Sequence, residues 1–94
     1  MRVVLTYDIP SDGRRTRLHK RLKKLLSPVQ LSVFEGDLPP AELARLEALL
    51  RRTLDPRRDS VRVYALCRAC AGLVRVHGVA PELPDPDAPL IVGE

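Results

Sequence analysis

Several residue types are scarce in this chain of 94 residues. Aromatic residues make up 3% of it and tryptophan is absent, so leucine must supply most of the apolar volume. Asparagine is absent, which together with frequent proline suggests a heat-adapted source, although the arginine excess fits a GC-rich genome equally well. No apolar run approaches the roughly 18 residues of a membrane span, and the N-terminus lacks a signal-peptide layout. We therefore expect one cytoplasmic domain without a membrane segment.

Positive charge is unevenly distributed along the chain. The formal net charge is +4, but residues 79–94 contain four acidic residues and no basic one, so residues 1–78 carry +8. A segment with this charge suits a polyanion such as nucleic acid. A solvated helix face would give the same composition, so composition alone leaves both interpretations open.

The stretch Val3–Pro10 predicts a buried strand with a single carboxylate at its end. Pro10 cannot donate a hydrogen bond to a neighbouring strand, so the strand should end near Asp8. A carboxylate at the edge of a rigid sheet, beside a cationic segment, is suited to binding a metal ion and a phosphate group. The alternative is that Asp8 only ends the strand or caps a turn.

A first helix is predicted from about Ser11 to Leu26, with Ser11 or Asp12 as its cap. Leucines form one apolar stripe along it, and basic residues occupy most of its remaining surface. The helix holds seven of the sixteen basic residues, which suggests an electrostatic surface for nucleic acid. The candidate binding residues are Arg14, Arg15, Arg17, Lys20, Arg21, Lys23 and Lys24.

The middle of the chain predicts a strand, a turn and a second helix. Val29–Glu35 alternates with period two and is interpreted as one strand, with Phe34 facing away from Val33. Gly36–Asp37 then predicts a turn or bulge, after which Leu38 begins a short returning strand. The second helix begins at Pro39-Pro40 and ends at Asp55-Pro56. Its predicted buried stripe is Leu43, Leu46, Leu50 and Leu54.

The last part of the chain predicts one long strand and two short ones. The long strand is Ser60–Cys67, and the short ones are Leu73–His77 and the apolar trio Leu90-Ile91-Val92, which should add to a sheet edge in this chain or in a partner. The order β-α-β-β-α-β is typical of the ferredoxin-like class, an α+β fold with an antiparallel sheet and here an added C-terminal strand. We expect a domain at 1–78 and an acidic, proline-rich tail at 79–94. Both helices on one face leave the other sheet face bare, which favours a homodimer.

Three pieces of sequence stand in order and carry a family resemblance. They are Tyr7-Asp8-Ile9 followed by Arg15 and Arg17, then Val29-Gln30-Leu31-Ser32-Val33-Phe34-Glu35-Gly36, then Asp59-Ser60-Val61-Arg62-Val63-Tyr64. Together they closely resemble the CRISPR-associated Cas2 family, the small subunit of the spacer-acquisition machinery. The sequence departs from the family at Leu31, where tyrosine is frequent, and at Ser27-Pro28, where glycine and a basic residue are common.

The resemblance implies a homodimer and two alternative roles. One is a Mg²⁺-dependent nuclease of endoribonuclease type that acts on RNA or double-stranded DNA. The other is a structural bridge between dimers of the integrase Cas1. By position, the resemblance implies that Asp8 is the metal ligand and that Asp8, Arg15, Arg17 and Phe34 are the catalytic residues. A toxin-like RNA interferase of related fold is a third interpretation.

The remaining candidate groups are few. Asp8 alone gives a metal ion a single carboxylate ligand per chain. A dimer axis that brings two copies of Asp8 together would supply two carboxylates. No general base is obvious, because we expect His19 and His77 to be surface residues. Cys67 and Cys70 have the spacing of a metal knuckle, but no second pair completes a zinc site, so we expect two reduced structural thiols. A disulfide between them is the alternative if the source is hyperthermophilic.

Overall fold

The computed structural model describes residues 1–78 and 91–93. Helices and strands follow one another in the predicted order, with a short helix and two short strands added at the end. Leu90 and the rest of the predicted acidic tail before Ile91 lie outside the described residues, so the expected division into domain and tail stays a prediction. The elements are β1 (Arg2–Asp8), α1 (Asp12–Leu22), β2 (Ser27–Gln30), β3 (Val33–Asp37), α2 (Pro40–Thr53), β4 (Ser60–Leu66), α3 (Arg68–Ala71), β5 (Arg75–His77) and β6 (Ile91–Gly93).

Strands β1 to β4 form one antiparallel sheet in the order β2-β3-β1-β4. This order confirms the predicted ferredoxin-like arrangement, in which β3 separates the two parallel strands β1 and β2. Leu5 of β1 lies opposite Phe34 of β3 on one side and Val63 of β4 on the other. Asp8 therefore ends a strand that has a neighbour on both sides, as the sequence predicts.

The core lies between one face of the sheet and the two long helices. Alternation along β1 sends Val3, Leu5 and Tyr7 into this core, where Leu18 and Leu46 join them from α1 and α2. Burying a side chain of this size contributes about 1.5–3 kcal/mol, so these contacts hold the sheet and helices together. The opposite sheet face lies outside this core, and on it Arg62 and Tyr64 are exposed.

The first helix is shorter than predicted. Ser11 caps it through a hydrogen bond from the Arg14 N–H to Ser11 Oγ at 3.2 Å, but the helix ends at Leu22 rather than Leu26. The residue before a proline is disfavoured in helical conformation, and Pro28 already belongs to β2, so the chain must leave the helix early. Leu26 still reaches the core from the intervening turn, which keeps the predicted apolar stripe intact.

The hairpin between the helices also departs from the prediction, which placed one strand at Val29–Glu35. The structure divides this segment into β2 and β3, joined by the turn Leu31-Ser32, with Gln30 opposite Val33. Ser32 has a positive φ of 63°, and Leu31 is 96% exposed at the tip. The turn sets Gln30 opposite Val33 on the same side of the sheet, whereas one continuous strand would have placed these two side chains on opposite faces. No glycine, asparagine or aspartate marks this turn in the sequence.

The shifted hairpin removes the predicted returning strand at Leu38. Gly36 and Asp37 are not a turn but the end of β3, where they pair with Val3 and Arg2. Leu38 instead leaves the sheet and is buried, with its N–H donating to the Met1 carbonyl at 2.8 Å. The second helix then follows as predicted, with Pro39 as N-cap and Leu54 as C-cap.

The two short strands near the C-terminus pair with each other. β5 and β6 form a parallel two-stranded sheet in which Val76 lies opposite Val92. The sequence predicted both strands, but β6 does not extend the four-stranded sheet within this chain. None of the helices in the described part of the chain is long and apolar enough to cross a membrane.

Candidate functional site

Asp8 occupies the exposed C-terminal end of β1, opposite Ser60 of β4. The neighbouring Tyr7 N–H donates to the Ser32 carbonyl at 3.1 Å, which draws the hairpin turn alongside. The result is an open hollow of about 390 Å³ with one carboxylate on its wall. We call it the Asp8 hollow; its lining residues are Tyr7, Asp8, Ile9, Arg15, Leu31 and Ser32.

Arg15 brings a cation into the same hollow. Its Nη1 donates to the Ile9 carbonyl at 2.9 Å, and its Nη2 pairs with the Asp12 carboxylate. These two contacts hold the guanidinium in place at the end of β1. A guanidinium presents forked N–H donors to phosphate, so the hollow combines a phosphate-binding group with the Asp8 carboxylate. Arg17 is exposed on α1 and does not line this hollow.

Phe34 lies behind the hollow and not in it. Its side chain is fully buried, with its ring centroid 6.2 Å from that of Tyr7 and 5.0 Å from that of His19. A fully buried ring has no free face on which a nucleobase can stack. The structure therefore places Phe34 as packing support for Tyr7, whose neighbour in the chain is Asp8.

His19 is half-buried, contrary to the expectation of a surface residue. It contacts the edge of Phe34, and its Nδ1 lies 3.5 Å from the Tyr7 hydroxyl. The sequence does indicate this burial, because His19 lies one residue after Leu18 and three before Leu22, at the border of the apolar stripe. His77 is exposed on β5, as expected.

Arg14 is held inside the protein by Asp59. Its Nε and Nη2 donate to the two carboxylate oxygens at 2.7 and 2.9 Å, and the Asp59 side chain is closed to solvent. The hydrogen bonds from Arg14 hold the pKa of Asp59 below its ordinary value. Among the basic residues predicted to bind nucleic acid, Arg14 and Arg15 each pair with a carboxylate, but only the partner of Arg14 is closed to solvent.

A second concave surface lies between α1 and α2. This basic groove has a volume of about 700 Å³ and carries Arg21 and Lys24 on one wall and Arg52 on the other. No ion pair with a carboxylate involves these three cations among the described residues, although Arg21 donates to Thr53 Oγ1 at 3.2 Å. The groove is lined by Arg21, Lys24, Leu25, Glu42, Arg45, Ala48, Leu49 and Arg52.

The sequence predicted the α1 wall of the basic groove but not the α2 wall. Arg45 and Arg52 are seven residues apart, so they share one face of α2, a spacing that the leucine stripe of the same helix obscured. Arg45 is neutralised by Glu42 at 3.0 Å, which leaves Arg52 as the cation of this wall. Lys20 and Lys23 are exposed on or just after α1 and do not line the groove.

A metal site built from one chain would be sparse. Residues 1–78 and 91–93 contain no group of three or more histidine, cysteine, aspartate or glutamate side chains that could hold an ion. Mg²⁺ nevertheless binds through one or two carboxylates when waters and substrate phosphates complete its shell. Asp8 fits that kind of site, and it supplies the only carboxylate that lines the hollow in the described structure.

Comparison with known proteins decides the family. The family described as CRISPR associated protein Cas2 matches residues 1–73. The chain belongs to the Cas2 family. A protein of Chloroflexus aurantiacus named CRISPR-associated endoribonuclease Cas2 3 is 40% identical over 86 residues, which cover 92% of each chain. One of Thermus thermophilus named CRISPR-associated endonuclease Cas2 2 is 44% identical over 77 residues, covering 82% of this chain and 81% of its own.

Solved structures support the same assignment. The hypothetical protein TT1823 from Thermus thermophilus has a TM-score of 0.77 at 40% identity, covering 87% of this chain and 95% of that one. Cas2 of Streptococcus pyogenes, at pH 6.5, has a TM-score of 0.67 at 32% identity, covering 72% of this chain and 88% of its own. Both confirm the α+β fold. The Asp8 hollow and the basic groove lie wholly within the Cas2-matched residues, whereas β5 and β6 lie beyond them.

Proposed function

We propose that this Cas2-family chain acts in the spacer-acquisition stage of CRISPR defence as a nucleic-acid-binding homodimer with a Mg²⁺-dependent phosphodiesterase site of endoribonuclease type. The observation that carries the proposal is the Asp8 hollow, in which a carboxylate and a fixed guanidinium share one open surface. Relatives named endoribonuclease and endonuclease support the phosphodiester bond as the target.

Within this site, Asp8 is the residue that would hold Mg²⁺. An ion held there would act as a Lewis acid toward the phosphate and would lower the pKa of a coordinated water. Arg15 holds a phosphate oxygen pair beside Asp8, because its contact with the Ile9 carbonyl already orients its guanidinium. Leu31, exposed at the hairpin tip, gives the hollow an apolar rim.

The proposed homodimer would cover a face of the sheet that a single chain leaves exposed. The sheet face opposite the two long helices presents Tyr64, 46% exposed, beside Arg62, and α1 and α2 pack on the other face. A second copy of the chain on this face would bury Tyr64 and cover the second face of the sheet. It would also provide a second Asp8, which is the carboxylate that a sparse Mg²⁺ site needs.

Nucleic acid is the substrate class that the charges favour. The basic groove gathers three cations in a concave surface, and Lys20, Lys23 and Arg17 extend the same sign over exposed parts of α1 and the turn that follows. Cations in such an arrangement bind the phosphate backbone of RNA or double-stranded DNA with little regard to sequence. In spacer acquisition the integrase Cas1 would be the protein partner.

The second candidate function is a non-catalytic adaptor that bridges Cas1 dimers. The observation that favours it is chemical: the Asp8 hollow contains no histidine or second carboxylate to act as a general base in the described structure. A toxin-type RNA interferase is a third candidate. A neighbouring integrase gene and a CRISPR array would disfavour it.

The deciding experiment is Asp8→Asn, which removes the charge and keeps the size. If Asp8 holds a catalytic metal, cleavage of RNA and of duplex DNA should fall by on the order of a hundredfold or more, while binding stays within about twofold. The matched control is Glu47→Gln, an exposed carboxylate on α2 that should leave cleavage unchanged. Both variants should be measured with Mg²⁺, with Mn²⁺ and with a chelator.

Cleavage, binding and spacer acquisition together separate the candidates. Equal cleavage by the wild type and Asp8→Asn ends the catalytic role of Asp8 and favours the adaptor. Lost cleavage together with normal spacer acquisition in cells with Cas1 leaves an active site that acquisition does not need. Lost cleavage with lost binding points to misfolding, which a thermal melt of the same preparation identifies.

A further inference from the structure

The turn between β4 and β5 contains a feature that nucleic-acid binding does not use. Cys67 caps the short helix α3, and its Sγ accepts a hydrogen bond from the Cys70 N–H at 3.3 Å. The two cysteines are three residues apart, so this short helix places both within a single turn. Both side chains are exposed.

Packing does not explain these two cysteines. A cysteine that serves the core is among the most buried residue types, and it behaves as a small apolar side chain. In this turn Ala71 is the buried residue, whereas Cys67 and Cys70 lie on the solvent side. Cys67 does cap α3, but both thiols are free and exposed, so they are also accessible to reagents.

The surroundings make the two thiols chemically unequal. The Cys70 N–H stabilises the charged form of Cys67, and this backbone hydrogen bond lowers the pKa of the Cys67 thiol. The hydrogen bond with Cys67 raises the pKa of the Cys70 thiol. A thiolate attacks disulfides and a thiol does not, so Cys67 reacts first and Cys70 follows.

A metal is the competing explanation for two cysteines with this spacing. Structural zinc takes four ligands, and no third histidine, cysteine or carboxylate joins the pair among the described residues. Two residues three apart in a helical turn are neighbours on its surface, within the Cα separation that a disulfide spans. The exposure of both thiols and the hydrogen bond from the Cys70 N–H to the Cys67 sulfur thus favour redox chemistry over metal binding.

We propose that Cys67 and Cys70 form a reversible intrachain disulfide, with Cys67 as the attacking thiol and Cys70 as the resolving thiol. The oxidant is a small-molecule disulfide of the glutathione class. The Cys67 thiolate attacks one of its sulfur atoms, forms a mixed disulfide and releases one thiolate. Cys70 then loses its proton and attacks the Cys67 sulfur, which releases the second thiolate. The protein gives up two electrons and two protons, and the small disulfide becomes two thiols.

A disulfide between Cys67 and Cys70 would stiffen the connection between the two sheets. α3 connects β4, at the edge of the four-stranded sheet, to β5 of the two-stranded sheet. A covalent bond across α3 fixes the turn through which the chain passes from one sheet to the other. Oxidation should therefore increase the hydrogen-exchange protection of the amides from Arg68 to His77, and reduction should reverse it.

The test equilibrates the full chain with mixtures of reduced and oxidised glutathione and traps free thiols by alkylation before mass spectrometry. The wild type should lose both alkylatable thiols together and become lighter by two hydrogen atoms. Cys70→Ser should stop at a stable mixed disulfide on Cys67, because the resolving thiol is gone. Cys67→Ser should react on the order of tenfold more slowly at Cys70.

Four outcomes would overturn the proposal. They are two glutathione adducts on the wild type without closure, disulfides between chains on a non-reducing gel, equal rates for the two serine variants, and bound zinc that shields both thiols from alkylation. The same reaction on protein unfolded in guanidinium is the reference. A native rate no higher than the unfolded rate would also overturn the proposal, because the folded turn would then contribute nothing to the reaction.

Discussion

Arg14 and Asp59 join the first turn of α1 to the residue that precedes β4, through two hydrogen bonds of 2.7 and 2.9 Å. Asp59 also accepts a hydrogen bond from the Asp55 N–H at 2.9 Å, so one carboxylate ties together three parts of the chain. The next residue, Ser60, pairs with Asp8. The ion pair thus holds the strand against which Asp8 is positioned, although neither of its members lines the Asp8 hollow.

Asp59→Asn should destabilise the protein at neutral pH and weaken its sensitivity to acid. The pKa of Asp59 is lowered in the folded state, so its contribution to stability is present above the ordinary carboxyl pKa of about 3.8. That contribution is lost as the pH falls through the lower folded value. We expect the thermal midpoint of the variant to lie several degrees below that of the wild type at pH 7, and the difference to shrink below pH 3.8.

Asp12→Asn is the control for this prediction. Asp12 pairs with Arg15 but is 90% exposed, and exposed ion pairs contribute little to stability. Its thermal midpoint should stay close to that of the wild type at both pH values. Equal effects of the two substitutions would show that the buried position of Asp59 does not matter.

Phe34→Ala should act on stability rather than on nucleic-acid contacts. The ring is fully buried against Tyr7 and His19, and removing it leaves a cavity that should cost about 3–5 kcal/mol of unfolding free energy. Chemical denaturation measures this cost. Phe34→Leu fills part of the cavity, so it should fold at room temperature and bind RNA within about twofold of the wild type. A Phe34→Leu protein of normal stability that does not bind RNA would instead show that the ring stacks on a base.

Removing the cations of the basic groove should weaken binding and its dependence on salt. Arg21→Gln, Lys24→Gln and Arg52→Gln together should reduce the slope of log affinity against log salt on duplex DNA by about 0.9 for each phosphate that these cations neutralise. Fluorescence anisotropy at several salt concentrations gives the slope. The matched control replaces Arg51, Arg57 and Arg68, which are exposed and lie outside the groove. Equally weak binding by both triple variants would mean that only net charge matters.

Tyr64→Glu should separate the homodimer. Tyr64 is 46% exposed on the bare sheet face, and a carboxylate there would be desolvated in any interface that covers this face. Analytical ultracentrifugation at micromolar concentration should show a dimer for the wild type and for Tyr64→Phe, and a monomer for Tyr64→Glu. A wild type that sediments as a monomer would contradict the proposed assembly.

Much of the fold was predictable because its signals are local. Pro10, Pro39 and the leucine spacing of the two long helices mark boundaries and faces without reference to the rest of the chain. The order of elements then favoured the ferredoxin-like class, and the end of β1 at Asp8 followed from Pro10 alone. The hairpin was misplaced because Ser32 adopts a positive φ that serine rarely takes. The turn contains no glycine, asparagine or aspartate, the residues that usually mark such a conformation in a sequence.

The site was less predictable because its contacts are distant in the sequence. Nothing near Arg14 indicates that Asp59 will neutralise it, and nothing near Arg21 indicates that Arg52 faces it across a groove. The family resemblance implied that Phe34 belongs to the catalytic site, whereas strand register places its side chain opposite Leu5 in the core. Such pairings depend on how elements pack, which periodicity within one element does not encode.

The central position of β1 has a consequence for synthesis on the ribosome. β1 is synthesised first, but one of its two edges pairs with β4, so that edge stays unpaired until the chain has been made as far as Leu66. β3 closes the other edge much earlier, so a nascent chain that ends within α2 carries a half-finished sheet with one open, apolar edge. Open edges of this kind recruit other chains. Slow translation just before Ser60 should therefore promote aggregation of the nascent protein, and rapid translation of Ser60–Leu66 should protect it.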